Sequence, residues 1–372
     1  RQRQMCIRDR YNLNALVGLT RGPAWLINYD GGDEQATEDQ RSWGNGRFAA
    51  SAGYPHITVP FGLVDGLPVG ISFISTAWDD KSIIEMAYAF EQENGFNELH
   101  QSPSESETEQ RLQKMLSSSR PIDAGKSLWT DELTWMEVRD LIENGYTQVI
   151  VPTGGIEQNG PFLSTGKHNV ILQAACPEIA KKIGNTLCAP IIKFVPEGNI
   201  EPPSGAMLFP GSISLRAETY HMLLDDIASS LKQSGFKNII FIGDSGGNQK
   251  GMEIVAKKLN QRWSGSGVLA HYIPEYYNPG WEETERFTKE ILGVEETSDD
   301  GHHDDIWVTA MMMVTDPEQV RYQQRVDVGL ATINGVDISS IDETIELGNK
   351  MLEFRAEFTV DAIRKAIQSS KH

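Results

Sequence analysis

From residue 130 onward, short apolar runs rich in Val and Ile alternate with longer runs of helical periodicity, and this alternation constrains the fold more than any other feature. Strand-like runs lie at 148–152, 187–195, 238–243 and 268–273. Helical runs lie at 170–183, 216–233 and 247–262, with more helix at 303–314 and 341–367. In the 216–233 run, Tyr220, Leu223, Leu224, Ile227 and Leu231 form a stripe at helical spacing that needs an apolar surface to cover it. Strands connected through helices of this length pair in parallel, because a parallel partner requires a long crossover. The expected fold class is therefore α/β: a three-layer α/β/α arrangement around a mostly parallel sheet.

The chain before residue 130 reads differently. Residues 1–10, RQRQMCIRDR, carry four arginines without an apolar period and are expected to be a non-native leader. Residues 11–95 alternate β-rich runs with Gly and Pro, predict a hairpin turning at Asp65-Gly66, and continue into a helix over 82–92 with Ile83, Ile84, Ala87 and Phe90 on one side. This predicts a small α+β piece. Residues 96–126 are polar and Ser-rich with a short helical interlude at 109–116, the composition of a linker. The α/β domain then occupies 127–372.

The formal charge of −19 argues against a nucleic-acid groove or an anionic membrane surface as partner, since both recruit clustered Lys and Arg. Part of that charge is local: ten acidic residues between Glu282 and Asp305 face only Arg286 and Lys289. Cys6, Cys176 and Cys188 match neither zinc-knuckle nor CxxC spacing, so Cys176 and Cys188 are expected to be buried, inert thiols. No apolar run is long enough to cross a membrane and no export-type apolar segment opens the chain, which makes the cytoplasm the expected location.

Three loops that follow predicted strands carry metal-capable or nucleophilic side chains. The first runs from Pro152-Thr-Gly-Gly-Ile-Glu157 to Lys167-His168; the second is Gly243-Asp244-Ser245-Gly246-Gly247-Asn248; the third is His302-His303-Asp304-Asp305. Each has an ordinary structural explanation: a packing turn, a helix cap, or an acidic helix start. Together they would open on one edge of a parallel sheet, and Glu157, His168, Asp244 and His303 are ligand types that Zn²⁺ or Mn²⁺ accepts. Ser245 on its Gly-rich strand-to-helix turn also allows a serine hydrolase, though no Asp-then-His order follows it.

Two stretches resemble known families. Asn45 to Gln92, with Ala-Gly-Tyr54-Pro-His-Ile-Thr-Val-Pro60 and Gly66-Leu-Pro-Val-Gly70, resembles the C-terminal end of amidase-signature enzymes, whose catalytic Ser–Ser–Lys machinery lies upstream of this segment and is not supplied by residues 1–44. Residues 130–368 resemble the creatininase family through Pro152-Thr-Gly-Gly-Ile-Glu157-Gln-Asn-Gly-Pro161, Phe209-Pro-Gly-Ser-Ile-Ser-Leu215, Gly243-Asp-Ser-Gly-Gly-Asn248 and a histidine ahead of a Met-rich helix. The resemblance implies a metal-dependent hydrolase of C–N bonds in amides or cyclic amides, acting on a small molecule and assembled as a homo-oligomer.

Several ligand positions depart from the family. Glu157 stands at the first glutamate ligand, but Asn159 and Phe162 replace two histidines, His168 replaces the bridging aspartate, and Ser245 replaces another histidine. A histidine where an aspartate belongs, Asp244 beside the lost histidine and the His302-His303-Asp304-Asp305 cluster favour a remodelled, mononuclear metal site over a catalytically inactive binding or scaffold domain. On that reading Glu157, His168, Asp244 and His303 hold Zn²⁺ or Mn²⁺, whose bound water becomes the nucleophile. His302 or Asp305 moves protons. Asn159, Lys167, Ser245, Gly246, Gly247 and Asn248 bind substrate.

Overall fold

The computed structural model describes residues 10–11, 13–22, 46–64, 67–94, 105–299 and 301–370, and the chain divides into two compact units, 1–118 and 119–372. In the first unit, β1 (Leu16–Leu19), β2 (His56–Val64) and β3 (Leu67–Ile74) form an antiparallel sheet in the order β1-β3-β2. β2 and β3 pair from Val64↔Leu67 to His56↔Ile74; the expected turn at Asp65-Gly66 lies outside the described residues, as does nearly all of the expected leader. Helix α1 (Gly46–Ala52) precedes β2. Helix α2 (Asp80–Asn94) lays Ile83 and Ala87 against Val59 and Phe73, with Phe90 edge-on to Phe73 at 5.5 Å between ring centroids. Helix α3 (Glu105–Leu116) ends the unit.

In the second unit a four-stranded, wholly parallel sheet runs in the order β5-β4-β6-β7, formed by β4 (Gln148–Thr153), β5 (Thr186–Cys188), β6 (Asn238–Gly243) and β7 (Leu269–Tyr272). Its central strands are continuously apolar because both faces are covered. Ile150, Ile240 and Ile242 point to one face, where they meet Ile171, Leu172 and Ile179 of α5 (Lys167–Ile183), Met311, Met312 and Met313 of α9 (Ile306–Thr315), and Met351, Leu352 and Ile363 of α11 (Ile341–Ser369). Val149, Val151, Ile239 and Phe241 point to the other face, onto Tyr220, Leu224 and Ala228 of α6 (Ala217–Ser234) and Met252, Val255 and Leu259 of α7 (Gln249–Arg262). The two-residue period of the strands sorts these side chains into two separate cores. Helix α4 (Trp135–Glu143) enters through a reciprocal Thr134–Glu137 capping box, α8 (Gly280–Glu290) precedes the third loop, and α10 (Tyr322–Asp327) follows α9. A two-residue pairing of β8 (Thr332–Ile333) with β9 (Val336–Asp337) leads into α11.

Three features differ from expectation. β5 is far shorter than the 187–195 run: Pro190 has no N–H for a ladder, so the chain leaves the sheet and touches it again only at Ile192 opposite Thr153. Helix α5 begins at Lys167, which brings Lys167 and His168 into its first turn. Cys176 and Cys188 are not separate thiols; they are joined as a disulfide, because α5 packs along β5 with their Cα atoms 6.3 Å apart. Among the described residues no helix is long and apolar enough to cross a membrane.

Candidate functional site

The carboxyl ends of β4 and β6 lie side by side in register, Thr153 opposite Gly243, and the two Gly-rich loops leave the sheet together. Asp244 donates its N–H to Thr153 O, which aims its side chain over the strand ends. The loop after β4 returns to start α5, whose first turn carries His168 into the same space. Its ring is clasped on both sides: Nδ1 lies 2.9 Å from Asp244 Oδ2 and Nε2 lies 2.8 Å from Glu157 Oε1. The other oxygen of Asp244, Oδ1, accepts from Arg355 Nη2 at 2.8 Å. Arg355 comes from the middle of α11, fully buried, and also donates to Tyr276 O at 2.9 Å. Its guanidinium sits 4.0 Å from the Tyr276 ring centroid and 4.3 Å from that of Trp281. Lys167, also buried, places Nζ 3.7 Å from Glu157 Oε1 and donates to His303 O at 3.3 Å.

Glu157, Lys167, His168 and Asp244 line a cavity of about 560 Å³, together with Pro196, Glu197, Ser245, Tyr277, Trp281 and Trp307, while Arg355 lies behind Asp244. Glu197 belongs to none of the three loops singled out in the sequence, yet it is a central group. Its Oε2 accepts from Ser245 Oγ at 3.0 Å, and its side chain reaches in because Gly155 opposite has no Cβ; a methyl there would collide with the carboxylate. Gly247 is required in the same way by the Pro196 carbonyl, so the second glycine loop can lie flat against the 196–198 segment.

The charges sort the carboxyls into two kinds. Burial would raise the Glu157 carboxyl, but the hydrogen bond from His168, the nearby His303 ring and the Lys167 charge hold it well below the usual carboxylate range. Burial and the Glu157 charge push Glu197 up to about 7, against the pull of His168, Ser245 and Lys167. Burial also raises Asp305, and it lowers Lys167 despite the carboxylates around it. Burial and Lys167 would both lower His168, yet its bonds to Asp244 and Glu157 prevail and raise it.

The expected site residues divide accordingly. Glu157, Lys167, His168, Asp244, Ser245, Gly246, Gly247, His303 and Asp305 line one cavity. Asn159 and Asn248, expected to bind substrate, lie outside that lining: the Asn159 amide donates to Glu157 O and Ser164 O, and that of Asn248 to Thr153 O at the end of β4 and to Gly154 O, so both brace the backbone where the chain leaves the strand. His302 lies outside the lining too, packed over Gly160, whereas Asp305 of the same loop is part of it. Phe162 turns into the core and stacks on Arg325 at 4.2 Å. Glu157, His168 and Asp244 meet, but as a hydrogen-bonded row rather than around a common point, with His303 Nδ1 3.8 Å from Glu157 Oε1. Among the described residues no three His, Cys, Asp or Glu side chains converge to hold a metal ion.

A creatininase (creatinine amidohydrolase) family model matches residues 131–350. The creatinine amidohydrolase of Pseudomonas putida is 22% identical over 265 residues, covering 64% of this chain and 97% of that protein. A mutant creatininase structure described as of Zn-Zn type aligns with a TM-score of 0.47 at 22% identity, over 65% of this chain and 98% of that one. Separately, 46 residues are 54% identical to a glutamyl-tRNA(Gln) amidotransferase subunit of Thermoanaerobacter pseudethanolicus. That match covers 12% of this chain and only 9% of the amidotransferase polypeptide, and the similarity is to the N-terminal amidase-like piece. With the family model spanning more than half of its length, the chain belongs to the creatininase family.

Proposed function

We propose that the 119–372 unit hydrolyses a C–N bond of a small amide or cyclic amide held in the 560 Å³ cavity, with Glu197 as its general base and acid. The observation that carries this reading is a buried carboxyl in the cavity wall, hydrogen-bonded to a hydroxyl and facing a fixed cationic floor. Its position near 7 supports the role, since a group that must both take and give a proton works best near the ambient pH. Water attacks the carbonyl carbon and passes its proton to Glu197. The C–N bond then breaks as Glu197 gives that proton to the leaving nitrogen, and the products are a carboxylic acid and an amine. Lys167 Nζ is suited to stabilise the oxyanion, and Asp305 stands across the cavity as a second acid.

The residues present do not fit the expected divalent ion. Both oxygens of Asp244 and both ring nitrogens of His168 are already engaged, and the Lys167 and Arg355 cations stand against the Glu157 and Asp244 carboxylates. No step is therefore assigned to a metal. The Ser245–Glu197 hydrogen bond favours one second reading, in which Ser245 Oγ is the nucleophile and forms an acyl intermediate.

Incubating the full chain with a panel of small lactams, cyclic ureides and linear amides should open the rings to products heavier by one water and split the linear amides into an acid and an amine, as read in mass spectra. A mass adduct on Ser245 during turnover would select the serine route. Saturable binding without turnover would replace hydrolysis with a binding function.

A further inference from the structure

We propose that Lys167, His168 and Arg355 replace the charge of the family's metal, so that this site is organised by fixed side-chain cations instead. The argument starts from His168. A neutral imidazole has one N–H and one lone pair, yet both ring nitrogens lie within 2.9 Å of a carboxylate oxygen. Only the imidazolium satisfies both contacts, and an imidazolium has no lone pair to offer a metal. The family resemblance places an aspartate here; exchanging it for an imidazolium changes the site by two positive charges, which is the charge of one divalent ion.

Arg355 completes the substitution. Asp244 is fully buried, and a guanidinium that cannot lose its proton occupies its second oxygen. Arg355 is held by Tyr276 O and lies between two aromatic faces, so it cannot withdraw to admit an ion without breaking the α11 packing. Lys167 supplies the third cation, buried beside Glu157. Lys167 and His168 also sit in the first turn of α5, where the helix dipole opposes positive charge, so the Glu157 and Asp244 carboxylates are what keep them there.

The cation cluster shares its cavity with the proposed hydrolysis, but the readouts that test it, metal content and melting temperature, are independent of turnover. The purified full chain should carry far less than one metal per molecule, and its Tm should not move with Zn²⁺, Mn²⁺ or a chelator. His168→Asp, which restores the carboxylate, should melt several degrees lower and recover with Zn²⁺ or Mn²⁺. A stoichiometric metal in the wild-type chain, whose removal lowers Tm, would overturn the proposal; so would a folded His168→Asp chain indifferent to both ions. Should His168→Asp not fold, the metal content of the wild-type chain decides alone.

Discussion

Replacing Arg355 with methionine will destabilise the second unit by about 3–5 kcal/mol, the range for removing one partner of a buried ion pair. The side chain is 1% exposed and Asp244 0%, so the lost hydrogen bond leaves a buried carboxylate oxygen without its cation. Methionine keeps much of the alkyl volume between Tyr276 and Trp281, which separates the electrostatic loss from a packing defect. Urea unfolding at neutral pH measures the effect. Pairing Arg355→Met with Asp244→Asn should cost less than the two changes summed, because the uncompensated charge that dominates the single variant is gone. A loss below about 1 kcal/mol for Arg355→Met would mean that Asp244 is satisfied by other groups.

Glu197→Gln has two expected effects that differ in sign. Turnover of whatever amide the screen identifies should fall by roughly 10²–10⁴-fold in kcat/KM, the usual contribution of a positioned general base. Stability should rise, and only at higher pH. The folded carboxyl titrates near 7, above its ordinary 4.5, so the folded state holds its proton more tightly than the unfolded chain does. That contribution is fully present below about pH 4.5 and is lost as pH rises through 7, where ionising the buried group costs roughly 3 kcal/mol. The variant should therefore match the wild-type chain in acid and exceed it above neutrality. The groups around Glu197 that set this balance are Glu157, His168, Lys167 and Ser245. With Glu197 as base, wild-type kcat/KM should climb between about pH 6 and 8 and level off once the carboxylate is formed.

The contrast between Arg355 and Glu157 shows how far the sequence carries such an account. Strand β4, its glycine loop and Glu157 could be read directly, because a continuous apolar run and Gly-Gly are local signals and sites in parallel sheets gather at the strand ends. β6 with Asp244 followed the same logic, as did the helical stripe of α6. Arg355 was invisible: it lies in a helix among Glu353, Glu357 and other charged residues, and only the packing of α11 beneath the 276–281 loop buries it. Glu197 lies in an irregular Pro- and Gly-rich connection where no period marks an inward side chain. Asn159 and Asn248 were attractive as substrate ligands because they stand in the motif loops. Those same loops have backbone carbonyls beyond the end of the ladder, at Gly154, Glu157 and Ser164, and the two amides donate to them. The Cys176–Cys188 bridge depended on the placement of α5 along β5, which a spacing of 12 between a helix and a strand does not reveal.

The central claim is that His168 is a cation shared between Glu157 and Asp244. Nitrogen-15 spectra of the full chain with labelled histidine, assigned through a His168→Gln variant, test it most directly. Above about pH 7.5, where an ordinary histidine is neutral, both ring nitrogens of His168 should still carry protons, with and without added Zn²⁺. A single protonated nitrogen, or a resonance that shifts when stoichiometric Zn²⁺ is added, would show that the ring keeps a lone pair for a metal and would contradict the account.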